Sequence, residues 1–148
     1  MRKPGPDEPL IQDASCLFCQ IAAKNADAKI IFEDGISVAF LDIRPLFPGH
    51  CLLISKAHYQ TLSDLPASLI GPLFLNAQTV TRTVQEVMKA DGSFVAINNT
   101  VSQSVAHFHI HIVPRRRGDK LRGFFWPRQK YEEPEMVAVH QALSSKLK

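Results

Sequence analysis

The chain has 148 residues, 45% of them apolar and 21% charged, with 17 Lys and Arg against 14 Asp and Glu for a net charge of +3. That length accommodates one hydrophobic core and excludes two substantial ones. The composition excludes a disordered, collagen-like or coiled-coil chain, and the small charge excess excludes a protein that coats nucleic acid over its whole surface. Residues 1–12, with Pro4, Pro6 and Pro9 among charges, read as a flexible tail, and residues 13–148 as a single domain with a carboxyl-terminal extension from about 114. No apolar run reaches the roughly 18–20 residues that span a bilayer, and the first twelve residues lack the apolar stretch of a secretory signal. A cytoplasmic protein without a membrane partner is expected.

Residues 16–25, with Leu17, Phe18, Ile21 and Ala22, predict a short helix capped by Asp13 or Ser15. Residues 29–33 and 36–41 are β-rich runs separated by Asp34-Gly35, a hairpin signal. Prolines and glycine mark 44–49 as a loop, and 50–55 follows as a third, largely buried strand. Between residues 62 and 90, Leu69, Leu73, Val80, Val84 and Val87 recur at helical spacing and predict one long helix. Pro66 suits its first turn, whereas Gly71-Pro72 implies a kink or a later start. Asp91-Gly92 should end that helix, with a fourth strand over 93–98, a loop over 99–102 and a fifth strand over 107–113 stopped by Pro114. Residues 115–130, with the run Phe124-Phe125-Trp126, read as irregular, and 134–148 as a terminal helix. The fold class is α+β: a five-stranded, mainly antiparallel sheet with one long helix and a short amino-terminal one.

Three of the six histidines fall within five residues. Side chains alternate faces along a strand, so His107, His109 and His111 share one side and Phe108, Ile110 and Ile112 the other. At about 3.3 Å per residue the outer histidines lie about 13 Å apart, too far to bind one metal on a regular strand. A lone exposed histidine is ordinarily a solvated surface residue, but three in alternation suit nucleophilic transfer of a phosphoryl-type group. The cysteines, Cys16, Cys19 and Cys51, are too few and odd in number for a secreted disulfide framework. Cys16 and Cys19 form a Cys-x-x-Cys pair open to redox, metal or accidental readings; Cys51 suits a core and His140 a helix surface.

The segment Gln103-Ser104-Val105-Ala106-His107-Phe108-His109-Ile110-His111-Ile112-Val113 resembles the signature of the histidine triad (HIT) nucleotide hydrolases and transferases. Cys16-Leu17-Phe18-Cys19, Ala39-Phe40-Leu41-Asp42-Ile43, Pro48-Gly49-His50 and Ile54-Ser55-Lys56-Ala57-His58 resemble the family's nucleotide-binding half, in the same order. The resemblance spans about residues 14–130. It implies that His109 attacks the α-phosphorus of a purine nucleotide, with His111, His50 and Ser104 at the reacting phosphate. Asp42 resembles the acid that binds the ribose hydroxyls, though after a strand it could equally be a turn residue. Phe18, Ile21, Phe40 and Ile43 resemble the base pocket, though by composition alone they suit a core. Gln103 and Asn98 or Asn99 resemble polar site residues, but the loop 98–102 lacks the glycines usual there.

Some family members bind structural zinc (Zn2+) through a cysteine pair, a histidine after the third strand and the first triad histidine; here these would be Cys16, Cys19, His58 and His107. The implied activity is a nucleotide phosphoramidase or dinucleoside polyphosphate hydrolase, with a non-catalytic purine-nucleotide or RNA-binding protein as the alternative. The family also implies a homodimer, and nucleic acid is not the expected partner. Residues 114–130 carry seven basic residues and one acid, +6, leaving the remainder at −3. This stretch is either a solvated loop or places Arg115, Arg116, Lys120 or Arg122 on the distal phosphates of a long substrate.

Overall fold

The computed structural model describes residues 12–121 and 128–147. Packing divides the chain into one unit that ends at Arg117 and another that runs from Gly118. In the first, the order is α1 (Leu17–Ala22), β1 (Ile30–Glu33), β2 (Ser37–Leu41), β3 (Cys51–Ser55), a short 3₁₀ turn (Leu62–Asp64), α2 (Ala67–Val87), β4 (Gly92–Ala96) and β5 (His109–Arg115). In the second, α3 (Glu133–Lys146) has Pro134 and two glutamates in its first turn, where an N–H would have no intrahelical acceptor and negative charge is favoured. Most of the predicted tail, together with Arg122 and Phe124-Phe125-Trp126, lies outside the described residues.

The five strands form one sheet in the order β1-β2-β3-β5-β4, every pair antiparallel. Strands β2 and β3 read as continuous apolar runs because both faces are covered. On one face, Ala39, Cys51, Leu53, Ile110 and Ile112 pack with Leu73, Ala77, Val80 and Val84 of α2. On the other, Val38, Phe40, Leu52 and Ile54 pack with Phe18 and Ile21 of α1. The alternation along β5 therefore sends Ile110 and Ile112 toward α2, and His109 and His111 toward the side on which α1 lies.

Several local expectations change. No side chain caps α1; the Asp13 carboxylate instead accepts from the Ser15 amide at 2.9 Å and the Ser15 hydroxyl at 2.6 Å. The β1–β2 hairpin is present, but Gly35 is not left-handed. The turn is held by Asp34, whose Oδ1 accepts from the Ile36 and Ser37 amides at 3.0 and 2.9 Å. Helix α2 runs through Pro72 from an N-cap at Pro66, so Gly71-Pro72 does not delay its start. It ends before Lys89, which is left-handed at φ 52°, and Gly92 already belongs to β4. Val87 is exposed, and Met88 packs on the core in its place.

Strand β5 begins at His109, so His107 precedes it, and it continues past Pro114 to Arg115. Pairing with β3 ends at Ile112, leaving one side of β5 open at Pro114, where a residue without an N–H is tolerated. Gly49, at φ 95°, is required for the entry to β3: a Cβ there would lie 2.7 Å from the Met88 side chain.

Candidate active site and metal centre

The amino end of α1, the segment after β3 and the approach to β5 bring Cys16, Cys19, His58 and His107 together, every donor atom within 4.8 Å of the others. The Nδ1 atoms of His58 and His107 are 3.2 Å apart, Cys19 Sγ is 3.3 Å from His58 Nδ1, and Cys16 Sγ is 3.4 Å from His107 Nδ1. A tetrahedral zinc with arms of about 2.0–2.1 Å to nitrogen and about 2.3 Å to sulfur has edges of about 3.3–3.6 Å between such donors. These three separations, and the 3.5 Å between Cys19 Sγ and His107 Nδ1, match such edges.

His107 Nε2 lies 2.7 Å from the Ser55 carbonyl, which can only accept, so the proton sits on Nε2 and Nδ1 keeps its lone pair for a cation. Burial pushes His107 down to about 4, holding the ring in its neutral, ligating form. Burial, and after it the neighbouring Cys16 and Asp13, raises the Cys19 thiol, an effect that a bound cation would reverse. Cys51 is buried apart from this cluster, its thiol pushed up to about 12 by desolvation.

The remaining two triad histidines stand on β5. His109 is buried, and its Nδ1 donates to the His107 carbonyl at 2.6 Å, leaving the Nε2 lone pair available. The Leu46 amide donates to His50 Nδ1 at 3.0 Å, so His50 carries its proton on Nε2 and donates it to His111 Nδ1 at 3.0 Å. His111 must then hold its own proton on Nε2. Two donors thus fix a relay of tautomers from the 44–49 loop to β5.

Burial, the largest cause, lowers the proton affinity of all three rings, while Asp42 opposes it. His111 falls to about 4, helped by its neighbours His109 and His50. Near neutral pH the row therefore offers one lone pair and directed N–H groups, not the cationic attraction that protonatable histidines suggest from sequence. With His50 neutral, its 3.6 Å approach to Asp42 Oδ2 is not a salt bridge.

His109 and His111 open onto a cavity of about 570 Å³ that extends toward the β1–β2 edge. Asp42 and Ser104 line it, as do Phe18, Ile21, Phe40 and Ile43. Phe18, Ile21 and Phe40 are also core residues, only 4–5% exposed, whereas Ile43 is 91% exposed. The base-pocket and core readings of the first three are thus compatible. Edge-on contacts place Phe18 against both Phe40 and His109, at centroid separations of 5.4 and 5.1 Å. Asp42 accepts from the Arg44 amide through Oδ1 at 2.8 Å.

Three predicted residues are not on the cavity wall. His50 stands behind His111. Gln103 is engaged with backbone: its side-chain oxygen accepts from the Thr100 amide of its own loop at 3.0 Å, and its amide group donates to the Gln60 carbonyl of the segment after β3 at 2.6 Å. Asn98 does not line the cavity either, and Asn99 accepts from the Leu62 amide. The glycine-free loop nonetheless places Thr100 and Ser102 in left-handed conformations, at φ 68° and 59°, where glycine is the usual residue.

Arg115 and Arg116, which one of the two readings of the basic stretch put on the distal phosphates, lie away from His109. Arg115 is six residues along β5 from His109, about 20 Å at about 3.3 Å per residue. Arg116 donates to the Met88 carbonyl, and the Arg117 amide to Asp91 at 2.8 Å, beside the end of α2. Lys120 belongs to the second unit. Sequence reasoning missed Asp27 and Arg44 on the cavity wall; only the charge of each, in loops flanking β1 and β2, marked them.

Alternate histidines on the cavity face of an antiparallel sheet, tied through the first of them to a cysteine–histidine cluster, define a histidine triad protein. The HIT domain model matches residues 23–118, and the chain belongs to that family. It is 40% identical over 108 residues to an uncharacterized HIT-like protein of Mycobacterium tuberculosis, covering 72% of this chain and 75% of that one. It is 33% identical over 143 residues to the adenosine 5'-monophosphoramidase of Saccharomyces cerevisiae, covering 94% and 87%. An asymmetrical bis(5'-nucleosyl)-tetraphosphatase of Schizosaccharomyces pombe is 32% identical over 62% of this chain and 52% of its own.

Among solved structures, a HIT family protein of Bacillus subtilis superposes with a TM-score of 0.81 at 27% identity, covering 90% of this chain and 98% of that one. A zinc-bound histidine triad protein of Mycobacterium smegmatis gives 0.69 at 36% identity, covering 89% and 97%. Among the described residues, no helix is long and apolar enough to cross a membrane.

Proposed function

We propose that the chain is a nucleotide hydrolase that works through a nucleotidyl-histidine intermediate, on a purine nucleoside 5'-phosphate bearing an N- or O-linked leaving group. The observation that carries this reading is the state of His109: Nδ1 is committed to a carbonyl, and the Nε2 lone pair belongs to a cavity large enough for one nucleotide. Nε2 attacks the α-phosphorus, the bond from phosphorus to the leaving group breaks, and the ring becomes a charged nucleotidyl-imidazolium. The His107 carbonyl, already bonded to Nδ1–H, stabilises that charge. Water then attacks phosphorus and gives up a proton to the departed amine or oxyanion or to solvent, the P–Nε2 bond breaks, and the neutral ring returns.

His111 Nε2–H serves as a donor to the phosphate oxygens, and His50 holds it in that tautomer. Ser104 Oγ–H donates to the departing group. Asp42 binds the ribose hydroxyls, with one carboxylate oxygen fixed by the Arg44 amide. Phe18, Ile21, Phe40 and Ile43 take the base. Cys16, Cys19, His58 and His107 would hold zinc, which in a closed four-ligand site supplies structural stability and touches no substrate. Relatives named as a phosphoramidase and a bis(5'-nucleosyl)-tetraphosphatase support the class, and parallel assays of both substrate types would assign the leaving group.

Exposed Ile70, Phe74 and Leu75 on α2 with Val95 on β4 support a homodimer, which light scattering would register as twice the 16.5 kDa chain mass. The absence of an apolar span in the sequence supports a cytoplasmic location.

The test is intact-protein and peptide mass spectrometry after mixing with a slowly turned-over nucleoside phosphoramidate. One nucleotidyl group on His109, absent in His109→Ala together with turnover, is the expected result. Saturable binding without adduct or hydrolysis would replace the enzyme with a nucleotide-binding protein.

A further inference from the structure

We propose that Asp27 makes this site selective for guanine: its carboxylate reads the two adjacent N–H donors on the edge of the base. This rests on the nucleotide reading above and concerns the end of the cavity farthest from the chemistry. The Lys29 carbonyl accepts from the Leu41 amide at 3.0 Å, which ties the segment carrying Asp27 to the β1–β2 edge of the sheet. That edge is three strand spacings from β5, about 14 Å at about 4.8 Å per spacing. The distance is comparable to the length of a nucleoside monophosphate. Phosphorus at His109 and ribose at Asp42 leave the base at Asp27. Asp42 lies close enough to His50, His109 and His111 to favour their charged forms, whereas Asp27 exerts no such influence on them.

The cavity that the exposed Asp27 lines is mainly apolar, with Leu17, Ile21, Leu41 and Ile43 in its wall beside the polar Asp42, Arg44 and Ser104. Among the described residues, no hydrogen bond or ion pair engages the Asp27 side chain. A carboxylate covered by a ligand must be given hydrogen-bond donors, or its desolvation opposes binding. Its two oxygens accept best from two donors side by side. Guanine presents N1–H beside its 2-amino group. Adenine presents its 6-amino group beside the N1 lone pair, which would face the second oxygen. Hypoxanthine retains N1–H and lacks the 2-amino group.

The experiment compares kcat/KM for guanosine, inosine and adenosine 5'-phosphoramidates on the full chain. In the wild type guanosine should exceed adenosine by about tenfold or more, with inosine between. In Asp27→Ala the guanosine-to-adenosine ratio should fall to near one, and in Asp27→Asn, which keeps a single acceptor, it should fall as well. Turnover of both substrates with a ratio near one in the wild type, a preference for adenosine, or a guanosine preference that survives Asp27→Ala would each overturn the assignment of Asp27 alone. Failure of the wild type both to hydrolyse and to bind any of the three would overturn the nucleotide reading, and this inference with it.

Discussion

The His107 carbonyl accepts the Nδ1 proton of His109 at 2.6 Å, while the His107 ring turns its own Nδ1 toward Cys16, Cys19 and His58. One residue thus joins the cysteine–histidine cluster to His109: its ring belongs to the first and its backbone orients the second. A metal held by this Cys₂His₂ set would be structural, because four protein ligands leave no open position for substrate.

Loss of a cysteine ligand should therefore affect stability before chemistry. Cys16→Ser is expected to lower zinc content by elemental analysis and melting temperature by about 5 °C or more. Turnover per folded molecule should fall less. Identical melting curves with and without a strong chelator would contradict a structural metal.

In the proposed mechanism His50 touches His111 and not the substrate, so its removal should weaken turnover without abolishing it. His50→Ala frees His111 to take the other tautomer and is expected to lower kcat about tenfold, with a smaller change in KM. His109→Ala should lose essentially all turnover. Equal losses in the two variants would place His50 in direct contact with the reacting group.

Acid should destabilise the fold through His111. Its folded value of about 4 lies below the usual value of about 6.5 for a free histidine, so between these limits the unfolded chain binds more protons. The contribution is complete above about pH 6.5 and is lost as pH falls toward 4. Melting temperature should decline over that window, and His111→Asn should flatten the part of the decline due to this ring. A variant whose melting temperature tracks the wild type at every pH would refute the assignment.

Thr100 is a β-branched residue held at φ 68°. The left-handed conformation costs such a residue about 1 kcal/mol or more, partly offset in glycine by greater freedom in the unfolded chain. Thr100→Gly is expected to raise the melting temperature by a few degrees while keeping the Gln103 bond to the backbone amide at that position. A decrease would show that the threonine side chain stabilises the loop by more than its backbone costs.

Much of this protein was determined by the sequence alone, because some properties depend on the chain only locally. A strand has a two-residue repeat wherever it lies, so the alternation after His107 identifies β5 and separates its greasy face from its histidine face. Cys-x-x-Cys at the start of a short helix and Asp34-Gly35 between β-rich runs are equally local. The missed boundaries, at Pro114 and Gly92, fall where neighbouring elements override an intrinsic preference, as at the open side of β5.

The tertiary structure decided which distant residues meet. His50 and His111 are 61 positions apart, and only the pairing of β3 with β5 makes one the hydrogen-bond donor to the other. The same packing fixes each ring's tautomer, buries the rings into neutrality, puts Asp27 on the cavity wall and carries Arg115 to the far end of its strand. Proton position and proton affinity depend on which acceptors, charges and apolar walls surround a side chain in space, and those neighbours are assembled by folding.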